Sequence, residues 1–266
     1  MEMRNNRKET ALITGASGGI GLELARLMAA KGHPLVLVAR NEVKLRALKS
    51  EFEKAYGLPV HILPLDLAQA GATKSLFETC RYLGLHIDLL INNAGFGDQG
   101  HFLDTDRNRE QEMIALNIAA LTDLCKIFAP AMDRQGYGRI LNVASTAAFQ
   151  PGPSMAVYFA TKAYVLHFSE ALAVELRSSG ITVTALCPGP TQSGFAAAAN
   201  MEQSLAFKSK RLPTAAEVAA YGYRAMMKGK RVAIHGWINN LLVLSLRMAP
   251  RQLAAAVTGW VIRKTA

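Results

Sequence analysis

The strongest constraint in this sequence is a rhythm: a short apolar run, a turn and an amphipathic stretch, repeated along most of the chain. The first unit is TALIT at Thr10 to Thr14, which turns through GASGGIG and continues into LELARLMAAKG, closing on Gly32. The runs that follow are PLVLVAR (34–40), VHILPLD (60–66), IDLLINNAG (87–95), GRILNVAS (138–145), ITVTALCPG (181–189) and RVAIHG (231–236). Helical patterns lie between them over 41–57, 70–84, 107–133, a stretch holding Tyr158 and Lys162, and 214–228, with an irregular or helical insertion over 191–210. Runs that stay apolar at successive positions suit strands buried on both faces. Strands separated by helices then predict a parallel sheet, covered on both sides and joined by right-handed crossovers.

The expected fold is therefore α/β: a single-domain Rossmann fold, with a doubly wound seven-stranded parallel sheet, helices on both faces and a C-terminal helical extension. A chain of 266 residues commonly stays one domain in this class. Residues 1–236 carry the rhythm and form the expected Rossmann-type domain, while 237–266 fall outside it. That tail reads as two short amphipathic helices broken at Pro250, packed on the same domain or at a subunit interface; peripheral contact with a membrane surface is the alternative.

Half the residues are hydrophobic and 19% are charged, a globular composition with apolar surface to spare for binding or assembly. Cys80, Cys125 and Cys187 are odd in number and far apart, which fits neither a disulfide framework nor a zinc site, so no metal and a reducing, cytoplasmic location are expected. The leader MEMRNNRKET lacks an apolar core of the secretory kind, and Val232 to Leu246 is too short and too polar to span a bilayer. The net charge of +10 is concentrated late: from Met201 onward eleven Lys and Arg face only Glu202 and Glu217. With little aromatic interleaving, this basic tail does not suggest nucleic acid.

The first turn places Gly15, Gly19 and Gly21 between strand and helix, where glycine lets the backbone approach a pyrophosphate at the helix N-terminus. Gly15, Ser17, Gly19, Ile20 and Gly21 are the candidate cofactor contacts of this turn. Arg40 stands 19 residues after Gly21, with no carboxylate before Glu42, where an NAD site would carry an acid. A guanidinium there favours a 2'-phosphate, so NADP(H) is the expected cofactor.

Tyr158 and Lys162 are four apart and share one helix face, so the ammonium can favour the phenolate. Ser145 ends a strand thirteen residues before Tyr158, and strand ends are where ligands bind in open parallel sheets. Ser154 is the expected N-cap of the Tyr158 helix.

These residues resemble the short-chain dehydrogenases/reductases. TGASGGIG (14–21), NNAG (92–95), Asn117, Ser145, YFATK (158–162) and PGPT (188–191) match that family's pattern in order and spacing, over about Thr10 to Gly236. The resemblance implies Asp66 and Leu67 by the adenine, Asn93, Ala94 and Gly95 against the sheet and cofactor, and Pro188, Gly189 and Thr191 by the nicotinamide carboxamide. It also implies a tetrad of Asn117, Ser145, Tyr158 and Lys162: Ser145 as hydrogen-bond donor, Tyr158 as general acid and base, Lys162 on the nicotinamide ribose, and Asn117 holding a water that links Lys162 to solvent. The implied activity is hydride transfer to or from a carbonyl or alcohol carbon, by a homodimer or homotetramer. Phe96, Phe102, Phe149, Met155, Pro190 and Phe195, with His101, Gln150 and Gln192, are expected to flank a hydrophobic substrate. The sequence is similar to the branch of hydroxysteroid dehydrogenases and long-chain ketoacyl reductases, without the N-terminal membrane helix that several of those carry. Two other readings use the same fold: a catalytically idle NADP sensor, and a basic-tailed interaction protein.

Overall fold

The computed structural model describes residues 8–208 and 211–263. Most of the leader, two residues of the 191–210 insertion and the last three of the tail lie outside that range. Seven strands form one sheet: β1 Ala11–Thr14, β2 Leu35–Ala39, β3 Val60–Pro64, β4 Leu89–Asn92, β5 Gly138–Val143, β6 Ile181–Cys187 and β7 Val232–Ile234. All neighbours pair parallel in the order β3-β2-β1-β4-β5-β6-β7. The helices are α1 Gly19–Ala30, α2 Glu42–Tyr56, α3 Ala72–Tyr82, α4 Arg107–Ile114, α5 Leu121–Gln135, α6 Ala156–Glu175, α7 Phe195–Ala198, α8 Ala215–Met227, α9 Trp237–Leu246 and α10 Arg251–Ile262.

The period-two alternation of a strand divides these apolar runs between two cores. Leu12, Val36, Leu90 and Ile140 face α3, α5 and α6, where Leu76, Leu124, Phe128 and Val165 meet them. Ile13, Leu37, Ile91 and Leu141 face the other way, onto α1, α2 and α8 through Leu24, Met28, Phe52 and Val218. This is why the runs show no polar face: both faces are buried, as the sequence predicts. β1 has β2 on one side and β4 on the other, so the chain reverses direction across the sheet there. The crevice at the C-terminal ends of β1 and β4 is the topological switch point where ligands bind in such sheets.

Two local expectations change. The helix predicted over 107–133 is α4 and α5 joined by a π-helical segment, Ala115–Ala120, which contains Asn117. Its run of 107–135 is long and apolar enough to cross a membrane by length and composition. Its apolar stripe of Leu121, Leu124, Cys125, Phe128 and Met132 is nevertheless spent on the core. Ser154 does not cap α6. It sits at φ 64 in a turn where the Met155 N–H donates to the Gly152 carbonyl, and Met155 takes the cap position without a side-chain bond. The backbone must reverse tightly after Pro153, and the left-handed residue this requires falls on Ser154.

Candidate active site

Thr14 organises the switch point. Its hydroxyl, 1% exposed, accepts from the Asn93 and Ala94 N–H groups at 3.0 and 2.9 Å and lies 3.3 Å from the Ile91 carbonyl. The Asn93 amide donates back to the Thr14 carbonyl at 2.9 Å. The glycines of the first turn are dictated by this packing: a Cβ on Gly15 would meet the Asn93 amide at 2.7 Å, and one on Gly21 would meet it at 2.3 Å. Gly15 also sits at φ 66, a conformation costly for other residues.

The α1 N-terminus has neither a side-chain cap nor an acid in its first turn, and the Cβ side of Gly18 is open. Its unpaired N–H groups can take an anion. Arg40, just past β2, keeps 78% of its side chain exposed and stands 4.0 Å from Asp66, a loose pair that leaves the guanidinium able to take a second anion. A small cleft of about 170 Å³ at the ends of β1 and β4 is lined in part by Thr14, Leu67, Ala94 and Leu116. Leu116 was not singled out by the sequence reading; it resembles any apolar helix residue. An uncapped helix end, a loosely paired, exposed guanidinium and an apolar cleft at the switch point fit a phosphorylated dinucleotide.

At the other end of the crevice, α6 carries Tyr158 and Lys162 into the interior, 8% and 6% exposed. Ser145 lies beside the Tyr158 phenol, and its Oγ accepts the Ala147 N–H at 3.1 Å and donates to the Pro188 carbonyl at 3.4 Å. Lys162 Nζ donates to the Val143 carbonyl at 2.9 Å and lies 5.8 Å from the centre of the Tyr158 ring. Burial pushes the Tyr158 phenol up to about 12, with Ser145 pulling against it, and pushes Lys162 down to about 8. Among the protein's own groups burial therefore outweighs the lowering of Tyr158 by Lys162 that the spacing suggests, and Ser145 is the group that opposes it.

Asn117 is 1% exposed, and both N–H groups of its amide are engaged. It donates to the Phe96 carbonyl at 2.9 Å and to Thr161 Oγ1 at 3.1 Å, and accepts the Phe96 N–H at 3.2 Å. Its N–H groups are thus unavailable to the water the resemblance implies; they tie the strand-end loop to α6. A Cβ at Gly95 would lie 2.8 Å from Asn117 Oδ1 and 3.5 Å from Lys162 Nζ, so Gly95 keeps open the space beside both. Pro188, Gly189 and Thr191 follow β6 on the same edge, with the Thr191 hydroxyl turned onto the Gly189 carbonyl at 2.8 Å.

The expected substrate flank divides. Phe195 packs 5.3 Å from the Tyr158 ring, Met155 joins the same buried cluster, and Phe96 lies at its edge under the Arg109 guanidinium. Phe102 is on the rim of an approximately 310 Å³ cleft beside Tyr158. Phe149 instead packs on the main core, Pro190 is half-buried, and His101 is exposed beside Asp104. Gln192 pairs its backbone with the Thr214 segment, and the buried Gln150 Oε1 has no hydrogen-bond partner. Sequence reading missed Gly97, Met113, Met201, Phe207 and Ile262, which complete the surroundings of Tyr158 and Phe195. Ile262 is contributed by α10, so the C-terminal extension reaches this cluster; Asn239 of α9 also packs on Gly189. Asp98 pairs with Arg109 at 3.1 Å and accepts from Asn200 at 3.0 Å, fastening the segment after α7 across the site. Among the described residues no group of three His, Cys, Asp or Glu is arranged to hold a metal ion.

A seven-stranded parallel sheet with a glycine turn at its switch point and a Ser, Tyr and Lys converging at the strand ends defines a dinucleotide-dependent dehydrogenase class. Residues 9–204 match the short chain dehydrogenase family, and the chain belongs to it, a family of oxidoreductases that use a nicotinamide cofactor. A very-long-chain 3-oxoacyl-CoA reductase of Pyricularia oryzae is 38% identical over 181 residues, 65% of this chain and 53% of that protein. The mouse 17-beta-hydroxysteroid dehydrogenase type 3 is 35% identical over 181 residues, 67% of this chain and 58% of that protein. The match thus spans little more than half the length of these curated relatives. A solved short-chain dehydrogenase from Sphingobium yanoikuyae, in complex with NADPH, is 33% identical with a TM-score of 0.81, over 90% of this chain and 94% of that one.

Proposed function

We propose that this protein is an NADP(H)-dependent oxidoreductase that acts on a carbonyl or secondary alcohol of a hydrophobic small molecule, with Tyr158 as general acid and base. The observation that carries the reading is the buried Tyr158, with Ser145 beside its phenol, Lys162 one helical turn on, and walls of Phe195, Met155 and Phe159. NADPH would supply the hydride. The α1 N-terminus with Gly15 to Gly21 would hold its pyrophosphate and Arg40 its 2'-phosphate, while Asp66 and Leu67 would border the adenine. Lys162 would bind the nicotinamide ribose, and Pro188, Gly189 and Thr191 the carboxamide.

The chain's own groups then divide the work at the substrate oxygen. Ser145 donates a hydrogen bond to the oxygen as it gains charge. Tyr158, held protonated by burial up to about 12, delivers its proton there. The Lys162 ammonium stabilises the phenolate left behind, and Asn117 positions the loop that faces it. The apolar walls favour a bulky, weakly polar ketone, in keeping with the oxoacyl-CoA reductase and hydroxysteroid dehydrogenase among its relatives. We further propose a homodimer or homotetramer in a reducing, cytoplasmic setting, in which three buried free thiols persist.

The test is a panel of ketosteroids, 3-oxoacyl thioesters and aryl ketones, assayed with NADPH and with NADH by loss of nicotinamide absorbance. NADPH oxidation dependent on an apolar ketone is expected. Tight NADPH binding with no turnover on any member would contradict the proposal and favour a cofactor sensor.

A further inference from the structure

Half of the large apolar side chains exposed among the described residues lie between Trp237 and Trp260. The inner stripe of this segment is used: Val243 is buried, and Ala254, Thr258 and Ile262 of α10 form a line four apart that faces the protein. Ile262 ends in the Tyr158 cluster, and a Cβ added at Gly259 would come within 3.3 Å of the Pro153 ring. The extension is therefore seated, and its outer side is apolar by sequence. On α9, Trp237, Leu241 and Leu244 continue into Met248, with spacings of four, three and four that keep them on one line; their exposures are 76, 59, 58 and 88%. On α10, Val257 and Trp260 do the same at 53 and 57%.

Charge selects the occupant. Arg247, Arg251 and Arg263 are exposed on or beside these helices, and no Asp or Glu occurs anywhere from Val218 to Ala266. A second copy docked by the same face would bring arginines of both chains together with no carboxylate from either segment to neutralise them. Tryptophan and aliphatic side chains flanked only by arginine instead match an anionic lipid surface, where apolar residues enter the acyl boundary and cations meet headgroups.

We infer that the outer faces of α9 and α10 dock this protein on anionic bilayers. Because Ile262 belongs to both the docking helix and the Tyr158 cluster, docking sets the substrate cleft close to the lipid; this last step rests on the reading of the site as a reductase of apolar ketones. A substrate dissolved in the acyl layer then has a short path to the cleft.

The experiment is flotation of the full chain with vesicles of phosphatidylcholine alone or mixed equally with phosphatidylglycerol. Binding to the mixed vesicles is expected, weakened by salt and by Arg247→Glu with Arg251→Glu by at least about 5-fold per arginine. Leu241→Glu with Trp260→Glu should abolish flotation while leaving NADPH-dependent reduction of a small water-soluble ketone unchanged. No flotation of the wild type on either vesicle, or a Leu241→Glu/Trp260→Glu protein that floats as well as wild type, overturns the proposal. So does light scattering that finds a dimer which those substitutions split. Flotation by a wild type that reduces no ketone supports the docking surface and sinks the reading of the site, so the two failures are separable.

Discussion

Lys162 is the clearest place where this fold gives up stability to its site, and replacing it should make the protein more stable and inactive. The ammonium is 6% exposed and burial pulls it from its ordinary 10.5 to about 8. That separation corresponds to about 3 kcal/mol of penalty on the charged folded state. The Val143 carbonyl at 2.9 Å offsets part of it, so about 3 kcal/mol is an upper bound for the gain in Lys162→Met at pH 7. The sign follows from the proton count. Below about 8 both folded and unfolded chains hold the proton, and the penalty is complete. Between about 8 and 10.5 only the unfolded chain holds it, so wild-type stability rises with pH. Above 10.5 the penalty has vanished. Urea unfolding of wild type and Lys162→Met at pH 7, 9 and 10.5 should therefore show the variant ahead by as much as about 3 kcal/mol at pH 7 and the gap closing as pH rises. A variant that is less stable at pH 7, or a gap that does not change with pH, would refute the reasoning.

Other substitutions probe the rest of the site. Arg40→Gln should raise the Kd for NADPH by about 10-fold, the low end expected for an exposed charge-assisted contact, and leave that for NADH unchanged; calorimetric titration of both cofactors checks it. A methyl at Gly97 would meet Phe195 at 2.9 Å, Tyr158 at 3.1 Å and Met155 at 3.2 Å. Gly97→Ala should thus lower kcat by about 100-fold through displacement of the Tyr158 ring and destabilise by about 1–3 kcal/mol, with NADPH affinity retained; steady-state kinetics and a thermal melt separate these effects. Thr14→Val keeps the shape but strands the Asn93 and Ala94 N–H groups, at about 1–3 kcal/mol each, which urea unfolding would register.

Much of this fold was legible because its strands are buried on both faces: β1, β2 and β4 show as unbroken apolar runs, and the glycine turn marks where the first strand meets a helix. The positions of Ser145, Tyr158 and Lys162 were legible for the same reason, since a strand end and a helix start bring them to one edge. Asn117 was harder. A π-helical segment keeps the apolar rhythm of an α-helix, so nothing in MIALNIAAL distinguishes a helix Asn bonded locally from one spanning to Phe96 and Thr161. Ser154 misled because Ser before a helix is a common cap, whereas the Gly152–Pro153 turn forces it left-handed. Ile262 was beyond reach: its place beside Tyr158 depends on a contact across the whole fold, and its own surroundings in sequence look like any amphipathic helix. The opposed shifts of Tyr158 and Lys162 were equally hidden, because spacing reveals a pair and not its depth.

In the proposed reaction a proton from Tyr158 accompanies a hydride to an apolar carbonyl. The most direct measurement follows deuterium from NADPH deuterated at C4 into the alcohol product by mass spectrometry, for wild type and Tyr158→Phe, with NADPH binding monitored by fluorescence. Wild type should yield product heavier by one deuterium, and Tyr158→Phe should bind NADPH nearly as well yet form none. Labelled product from Tyr158→Phe at the wild-type rate would contradict the claim.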